Sequence, residues 1–245
     1  ANTASTLTQE SLKWRVLDVQ NGQVRLISEV PTTSKIQLYG YNGYNNAVKL
    51  IDNACSTLYT NTKLASKVQN LKIEDITKYM KTKPTEDTTP YSPSNKYYPA
   101  ILLKEKGQTI NETAGKELDV SEQTEFINQT TKPQVSSWTL KKTYWSQTMN
   151  NTDSFTDAKY YELFINNGSN YPAYSMSSRC VNADSGYAYF GVRYVYSGDV
   201  NAGILYNSLG GELSYDFAFR PVITLNSNVQ VTSGSGSAGA PFNIQ

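Results

Sequence analysis

The chain has 245 residues, 38% of them apolar and only 18% charged, with a net charge of +1; this suits one large domain or two small ones, and excludes the Lys/Arg-dense stripe that nucleic acid or an anionic membrane requires. There is no His, and the only cysteines are Cys55 and Cys180, so neither a Ser-His-Asp or Cys-His pair nor a four-cysteine zinc site can be built within one chain. No apolar run is long enough to span a bilayer, and no signal peptide precedes the polar start Ala1-Asn2-Thr3-Ala4-Ser5, which is expected of a processed or truncated chain that has lost an N-terminal anchor.

The first predicted element is a hairpin. Residues 13–19 and 24–28 are strand-like, and Asn21-Gly22 between them supplies the positive φ angles of a type I′ turn. Gly40 to Asn46 reads as a turn leading into a helix, with Asn45 or Asn46 as N-cap and Val48, Ile51, Cys55 and Leu58 on its apolar face. A second helix fits Lys72 to Met80, with Glu74 and Asp75 at the end where the helix dipole favours acids. Residues 82–96 carry three prolines and read as a long surface loop, opening a loop-rich insertion over 82–135 that is interrupted by a short strand over 97–103.

Farther on, Trp138 and Trp145 restore apolar character, and they and Trp14 read as core residues. Asp157 is placed to cap a short helix through Tyr160, Leu163 and Phe164, with Gly168 just beyond its end. From Tyr171 the pattern is strands and turns. Tyr187 to Tyr196 and Asn201 to Tyr206 pair across a Ser197-Gly198-Asp199 turn, Leu209 to Glu212 turns again, and Phe219 to Leu225 reads as one core strand with Pro221 near its start. Residues 233–239 are Gly/Ser-rich and read as a flexible stretch. No boundary or internal repeat divides the chain, so it is read as a single domain over 1–245.

Charge and side-chain vocabulary both change towards the C-terminus. All 17 lysines fall between Lys13 and Lys159, and the only later cations are Arg179, Arg193 and Arg220. Residues 180–220 contain no Lys, Gln, Met, Trp or Thr, but hold Tyr187, Tyr189, Tyr194, Tyr196, Tyr206 and Tyr215 among Asn, Asp, Ser, Gly and Ala. Interfaces favour Tyr and Arg and disfavour Lys, and Tyr among small polar residues is the vocabulary of antibody loops, where a rigid ring gives large contact area at low entropy cost. The expected contact residues are those six tyrosines and Phe217, with Asn182, Asp184, Asp199, Asn201 and Asn207 as polar neighbours. The alternative is a buried β-core that excludes Lys.

Three stretches, Ser178-Arg179-Cys180-Val181-Asn182, Ala188-Tyr189-Phe190-Gly191-Val192-Arg193 and Phe219-Arg220-Pro221-Val222-Ile223-Thr224-Leu225, resemble the C-terminal signature of a domain family of Gram-positive gut bacteria and their phages. Trp14-Arg15-Val16-Leu17-Asp18, Leu26-Ile27-Ser28, Tyr41 to Asn46 and Leu71 to Ile76 extend the resemblance over most of the chain. The family is similar to the C-type-lectin-fold variable proteins of diversity-generating retroelements. The resemblance implies an α+β, C-type-lectin-like fold with short strands, one or two flanking helices and long inserted loops. It implies an extracellular or cell-surface adhesin, pilin-associated domain or phage receptor-binding protein that recognises a protein or glycan on another cell or particle. Such retroelements mutate adenines, and the amino acids reachable from an Asn codon exclude Lys, Glu, Gln, Met and Trp. Segment 180–220 obeys that restriction except at Glu212, and Ala173-Tyr174-Ser175-Met176 stands where the family has an aromatic pair.

Other chemistry is less well served. Asp184, Asp199 and Asp216 with Asn182 and Asn201 offer oxygens for calcium, but without EF-hand-like spacing, and no metal or cofactor is expected. A two-carboxylate hydrolase needs no His, but no spacing nominates a pair, so the chain reads as a non-enzyme. A pilus or shell subunit whose Tyr-rich face packs on other subunits is the alternative to ligand recognition. Arg193 can anchor a ligand carboxylate or pack inside the fold, and Arg220 reads as structural. Cys55 and Cys180 can form one long-range disulfide in an exported protein or stay as small buried residues.

Overall fold

A computed structural model describes residues 7–84, 87–91, 97–99, 101, 140–142, 147–149, 152–166, 173–183 and 186–245. The fold is α+β. Its first hairpin joins β1 (Trp14–Gln20) to β2 (Gln23–Ser28) through Asn21 and Gly22 at φ 51° and 77°, the doubly positive pair of a type I′ turn. β3 (Ile36–Tyr39) leads into the long helix α1 (Gly40–Tyr59), followed by β4 (Ala65–Asn70) and the single-turn helix α2 (Ile73–Thr77). Strand β5 (Asp87–Tyr91) lies inside the segment expected to be loop and pairs with β6 (Leu140–Lys142). The rest of the 82–135 insertion, apart from 82–84, 97–99 and 101, lies outside the described residues, as do Trp138, Trp145, Gly168 and Asp184. Of the strand expected over 97–103, Tyr97 forms a bridge but Ile101 is helical.

After β7 (Gln147–Thr148) comes α3 (Ala158–Phe164), whose N-cap Asp157 accepts a bond from the Lys159 amide as the sequence predicts. The remaining strands are β8 (Tyr174–Ala183), β9 (Ala188–Tyr196), β10 (Asp199–Asn207), β11 (Ser214–Phe219), β12 (Pro221–Leu225), β13 (Val231–Ser233) and β14 (Asn243–Ile244). One sheet runs β1-β2-β12-β4 and the other β3-β11-β8-β9-β10-β7, antiparallel throughout except where β11 meets β8. The Gly/Ser-rich tail, expected to be flexible, folds as the β13–β14 hairpin with a Ser237–Ala240 bridge.

Two apolar clusters hold these layers together. The first packs Tyr44, Ala47, Ile51 and Cys55 of α1 against Ile36, Leu38, Val181, Phe190, Val192 and Phe219 of the six-stranded sheet. The second joins Leu17, Ile27 and Val222 of the smaller sheet to Ile76, Phe164, Tyr174, Val195 and Val200.

Helix α1 starts earlier than expected, so Asn45 and Asn46 are buried inside it and are not its cap. The reason is tertiary. The helix has no acid in its first turn and no side-chain cap from Tyr39. Instead the Tyr41 amide donates to Glu212 Oε1 at 3.0 Å and the Gly40 amide to the Leu213 carbonyl at 2.9 Å. A carboxylate there satisfies an orphan N–H and complements the dipole. Gly40 sits at φ +57°, and a Cβ on it would come within 2.5 Å of the Glu212 carboxylate.

The strand expected over 219–225 is broken at Arg220, where the chain leaves one sheet for the other. Asn70 Oδ1 accepts from the Arg220 amide at 2.7 Å, while the Leu71 amide donates to the Arg220 carbonyl. The guanidinium donates to the carbonyls of Leu163, Ser28 and Glu29 and lies 5.2 Å from the Tyr174 ring centroid. Arg179 ties β8 to α1 in the same way, donating to the Tyr44 and Asn45 carbonyls at 2.7 and 2.6 Å.

Candidate functional site

The β9–β10 hairpin turns on Ser197 and Gly198, both at positive φ, 50° and 86°, so its two strands leave in fixed register with Tyr196 opposite Asp199 and Tyr194 opposite Asn201. Alternation along β9 then sorts its side chains. Ala188, Phe190 and Val192 point into the core beneath α1, and Tyr194 and Tyr196 continue on that face beyond the core. Tyr189, Arg193 and Val195 occupy the other face.

On the first face the rings form a row. Tyr215 and Phe217 of β11 are stacked with centroids 5.4 Å apart and planes 7° apart. Phe217 stacks on Tyr194 at 5.0 Å and 25°, and Tyr194 meets Tyr196 at 6.4 Å and 43°. Offset stacking of this kind is worth about 0.5–1.5 kcal/mol per pair beyond burial, so each ring limits the freedom of the next. Exposure rises outwards from Phe217: Phe217 is 7% exposed, Tyr215 and Tyr194 on either side of it are partly exposed, and Tyr196 is 58% exposed.

Gly203 on β10 makes the row possible, and it was not among the residues the sequence nominated. Any Cβ there would lie 3.2 Å from two Phe217 ring carbons and 3.6 Å from Tyr215. The available signal was a glycine inside a strand, which often marks the close approach of another group.

The nominated residues therefore do not share one surface. Tyr194, Tyr196, Tyr215 and Phe217 form the row, with Asp199 and Asn201 beside it. Tyr187 and Tyr189 form a separate edge-to-face pair at 4.8 Å, and Tyr189 has Asn182 and Asn207 as cross-strand partners. Three assignments are corrected. Tyr206 is fully buried, packed edge-on to Tyr41 at 4.8 Å and near-parallel to Phe190 at 5.9 Å. An extra residue between Ile204 and Tyr206 shifts the β10 register there and sets Tyr206 opposite core Phe190, and burial, with Glu212 nearby, pushes its phenol pKa up. Phe217 is the buried centre of the row and positions its neighbours. Asn207 is committed to the fold, its Oδ1 accepting from the Leu209 and Gly211 amides at 3.0 Å each.

Arg193 is 1% exposed, which places it inside the fold and not in front of a ligand. Cys55 and Cys180 are buried thiols that are not joined to one another, so the disulfide alternative is not formed. Burial, reinforced by Asp52, raises the Cys55 pKa well above its ordinary value, which leaves it unreactive. Among the described residues no three of His, Cys, Asp and Glu come together as a metal site.

A concavity lies away from the row. A cleft of about 340 Å³ is lined by Leu12, Trp14, Tyr59, Leu64, Leu225 and Ile244, among others. Trp14 and Tyr59 meet edge-to-face at 5.9 Å within it. Its walls are the N-terminal segment, the smaller sheet and the C-terminal hairpin, and Glu10 fastens the first of these by accepting from the Thr33 and Ser34 amides.

Compared with known proteins, the chain matches no family model, no curated protein and no solved structure. The geometry of the aromatic row therefore carries the functional reading.

Proposed function

We propose that this chain is a non-catalytic, extracellular recognition domain with a C-type-lectin-like fold, and that Tyr215, Tyr194 and Tyr196, braced on buried Phe217, contact a protein or glycan on another cell or particle. The observation that carries the reading is a row of packed rings, seated at Phe217 and Tyr215 against Gly203 and reaching 58% exposure at Tyr196. Rings held in place before binding lose little freedom on binding, which is how a rigid aromatic anchor gains affinity.

The pattern of commitment within 180–220 supports diversification of that face. Glu212, the one residue outside the adenine-mutagenesis vocabulary, is the one whose carboxylate is bonded to the start of α1. Ala188, Phe190 and Val192 are buried on the face of β9 that Tyr194 and Tyr196 continue, and Val195 is buried on the other, so frame and rings occupy successive stretches of one strand. The test is sequencing of the encoding locus in sister isolates. Substitutions concentrated at Tyr194, Tyr196, Asp199, Asn201 and Tyr215, with Glu212 and Gly203 constant, are the expected result. Variation spread evenly over the chain overturns the diversified-binder reading. A subunit-packing role for the same rings is separated by sedimentation: a monomer at micromolar concentration excludes it.

A further inference from the structure

The described surface of the C-terminal third carries no positive charge. Its only cations are Arg179, Arg193 and Arg220, and these are 0%, 1% and 0% exposed. Counting them all, residues 160–245 hold three Arg against five acids, a net −2, while residues 1–159 hold a net +3. The segment that supplies the aromatic row is therefore net anionic, and its own cations are withdrawn from the surface.

The local geometry sharpens this. Asp199 stands directly opposite Tyr196 on the same face, partly exposed, and its side chain has no ion-pair or hydrogen-bond partner among the described residues. Thr148 of β7 is the next residue across the sheet and brings no charge. Arg193 lies on the opposite face of β9 and is buried. A partner's anion brought here would lose water beside Asp199 with no described residue to pair with it. A partner's cation meets a carboxylate unpaired among the described residues and the electron-rich faces of Tyr194 and Tyr196, the two groups that attract ammonium and guanidinium ions.

We propose that the row docks on a basic protein surface, one that presents Lys or Arg side chains, and that burying all three arginines of this third excludes anionic partners. The proposal rests on the recognition reading above and adds the chemical class of the partner.

The test uses the full chain and fluorescence anisotropy with three probes: a Lys/Ser octapeptide, a Glu/Ser octapeptide and heparin. The Lys/Ser peptide is expected to bind, with affinity that falls as salt rises. Tyr196→Ser and Asp199→Asn are each expected to weaken it by roughly two- to fivefold. Tyr196→Phe keeps the ring face and is expected to retain binding, and Glu74→Gln, an exposed acid on α2, is expected to leave it unchanged. Asp199→Lys is expected to abolish it.

Preference for heparin or the Glu/Ser peptide overturns the proposal. So does Lys/Ser binding that Tyr196→Ser and Asp199→Asn leave intact, or that Glu74→Gln weakens equally. Self-association of the chain that Tyr196→Ser dissolves makes a second copy the occupant and overturns it as well. A panel of neutral glycans separates the two levels. Glycan binding lost in Tyr196→Ser, without peptide binding, removes the basic-partner proposal and leaves recognition standing. Dependence of no probe on Tyr196 removes both.

Discussion

The Arg220 joint and the Tyr194–Tyr196 end of β9 are both fashioned from the C-terminal third, and they are stabilised in opposite ways. At the joint, a fully buried cation donates to three carbonyls from two other parts of the chain, and the backbone around it is bonded to Asn70 and Leu71. At the row, rings rest mainly on one another, and the last is largely in water. Polar groups that are buried cannot be exchanged without leaving partners unsatisfied, whereas exposed rings can be changed at little cost to folding. The contrast separates frame from face.

The largest expected effect breaks the frame. Arg220→Ala strands the Leu163, Ser28 and Glu29 carbonyls and is expected to cost about 3–5 kcal/mol, read by urea denaturation. A loss below about 1 kcal/mol would show that the joint is not what fastens the two sheets.

Acid tests the frame at a second point. Arg25 grips both Asp18 oxygens at 2.7 and 2.6 Å and reaches Asp75 at 2.7 Å, while Tyr79 and Lys78 also donate to Asp18. Burial alone would raise the Asp18 pKa, but these donors hold it down at about 2 against an ordinary 3.8. A folded pKa below the unfolded one gives stability that is complete above pH 4 and lost as pH falls from about 4 towards 2. Asp52 has the opposite sign. Burial raises its pKa although Ser177 and the Asn70 amide donate to it at 2.6 and 2.8 Å. Its protonated form therefore contributes stability that is lost as pH rises through the raised value. Asp52→Asn is expected to cost less at pH 8 than at pH 4, near the ordinary carboxylate value, and equal costs at both would mean that burial does not raise this pKa.

Smaller effects sharpen the boundary between frame and face. Gly203→Val forces bulk against Phe217 and is expected to cost about 1–3 kcal/mol and to weaken binding by displacing the row. Binding unchanged in that variant would detach the row from function. Glu212→Ala removes the carboxylate at the start of α1 and is expected to cost about 1 kcal/mol without touching the rings. Tyr196→Ser is expected to change stability by less than about 0.5 kcal/mol while weakening binding, and a large stability loss would move Tyr196 from face to frame.

What was legible in the sequence was what neighbours in the chain decide. Asn21-Gly22 and Ser197-Gly198 turn because their own backbones take positive φ, and Asp157 caps α3 two residues away. The pairing of 188–196 with 199–207 follows from such local rules, while the α+β class was an implication of the family resemblance. The concentration of tyrosines after residue 180 was also legible, but not which of them face outwards.

The tertiary structure alone decided the rest, because the deciding partners are distant in sequence. Glu212 starts a helix 171 residues earlier, so Asn45 and Asn46 lie within that helix. Arg220 divides one apparent strand between two sheets, and its partner carbonyls at Ser28 and Glu29 lie 192 and 191 residues away. One extra residue in β10 puts Tyr206 in the core, and Gly203 admits a ring from β11. The sequence shows where lysine stops, but only packing shows that the three remaining arginines are turned inwards. A local pattern sets backbone angles and periodicity, while burial is a property of the whole chain once distant segments have met.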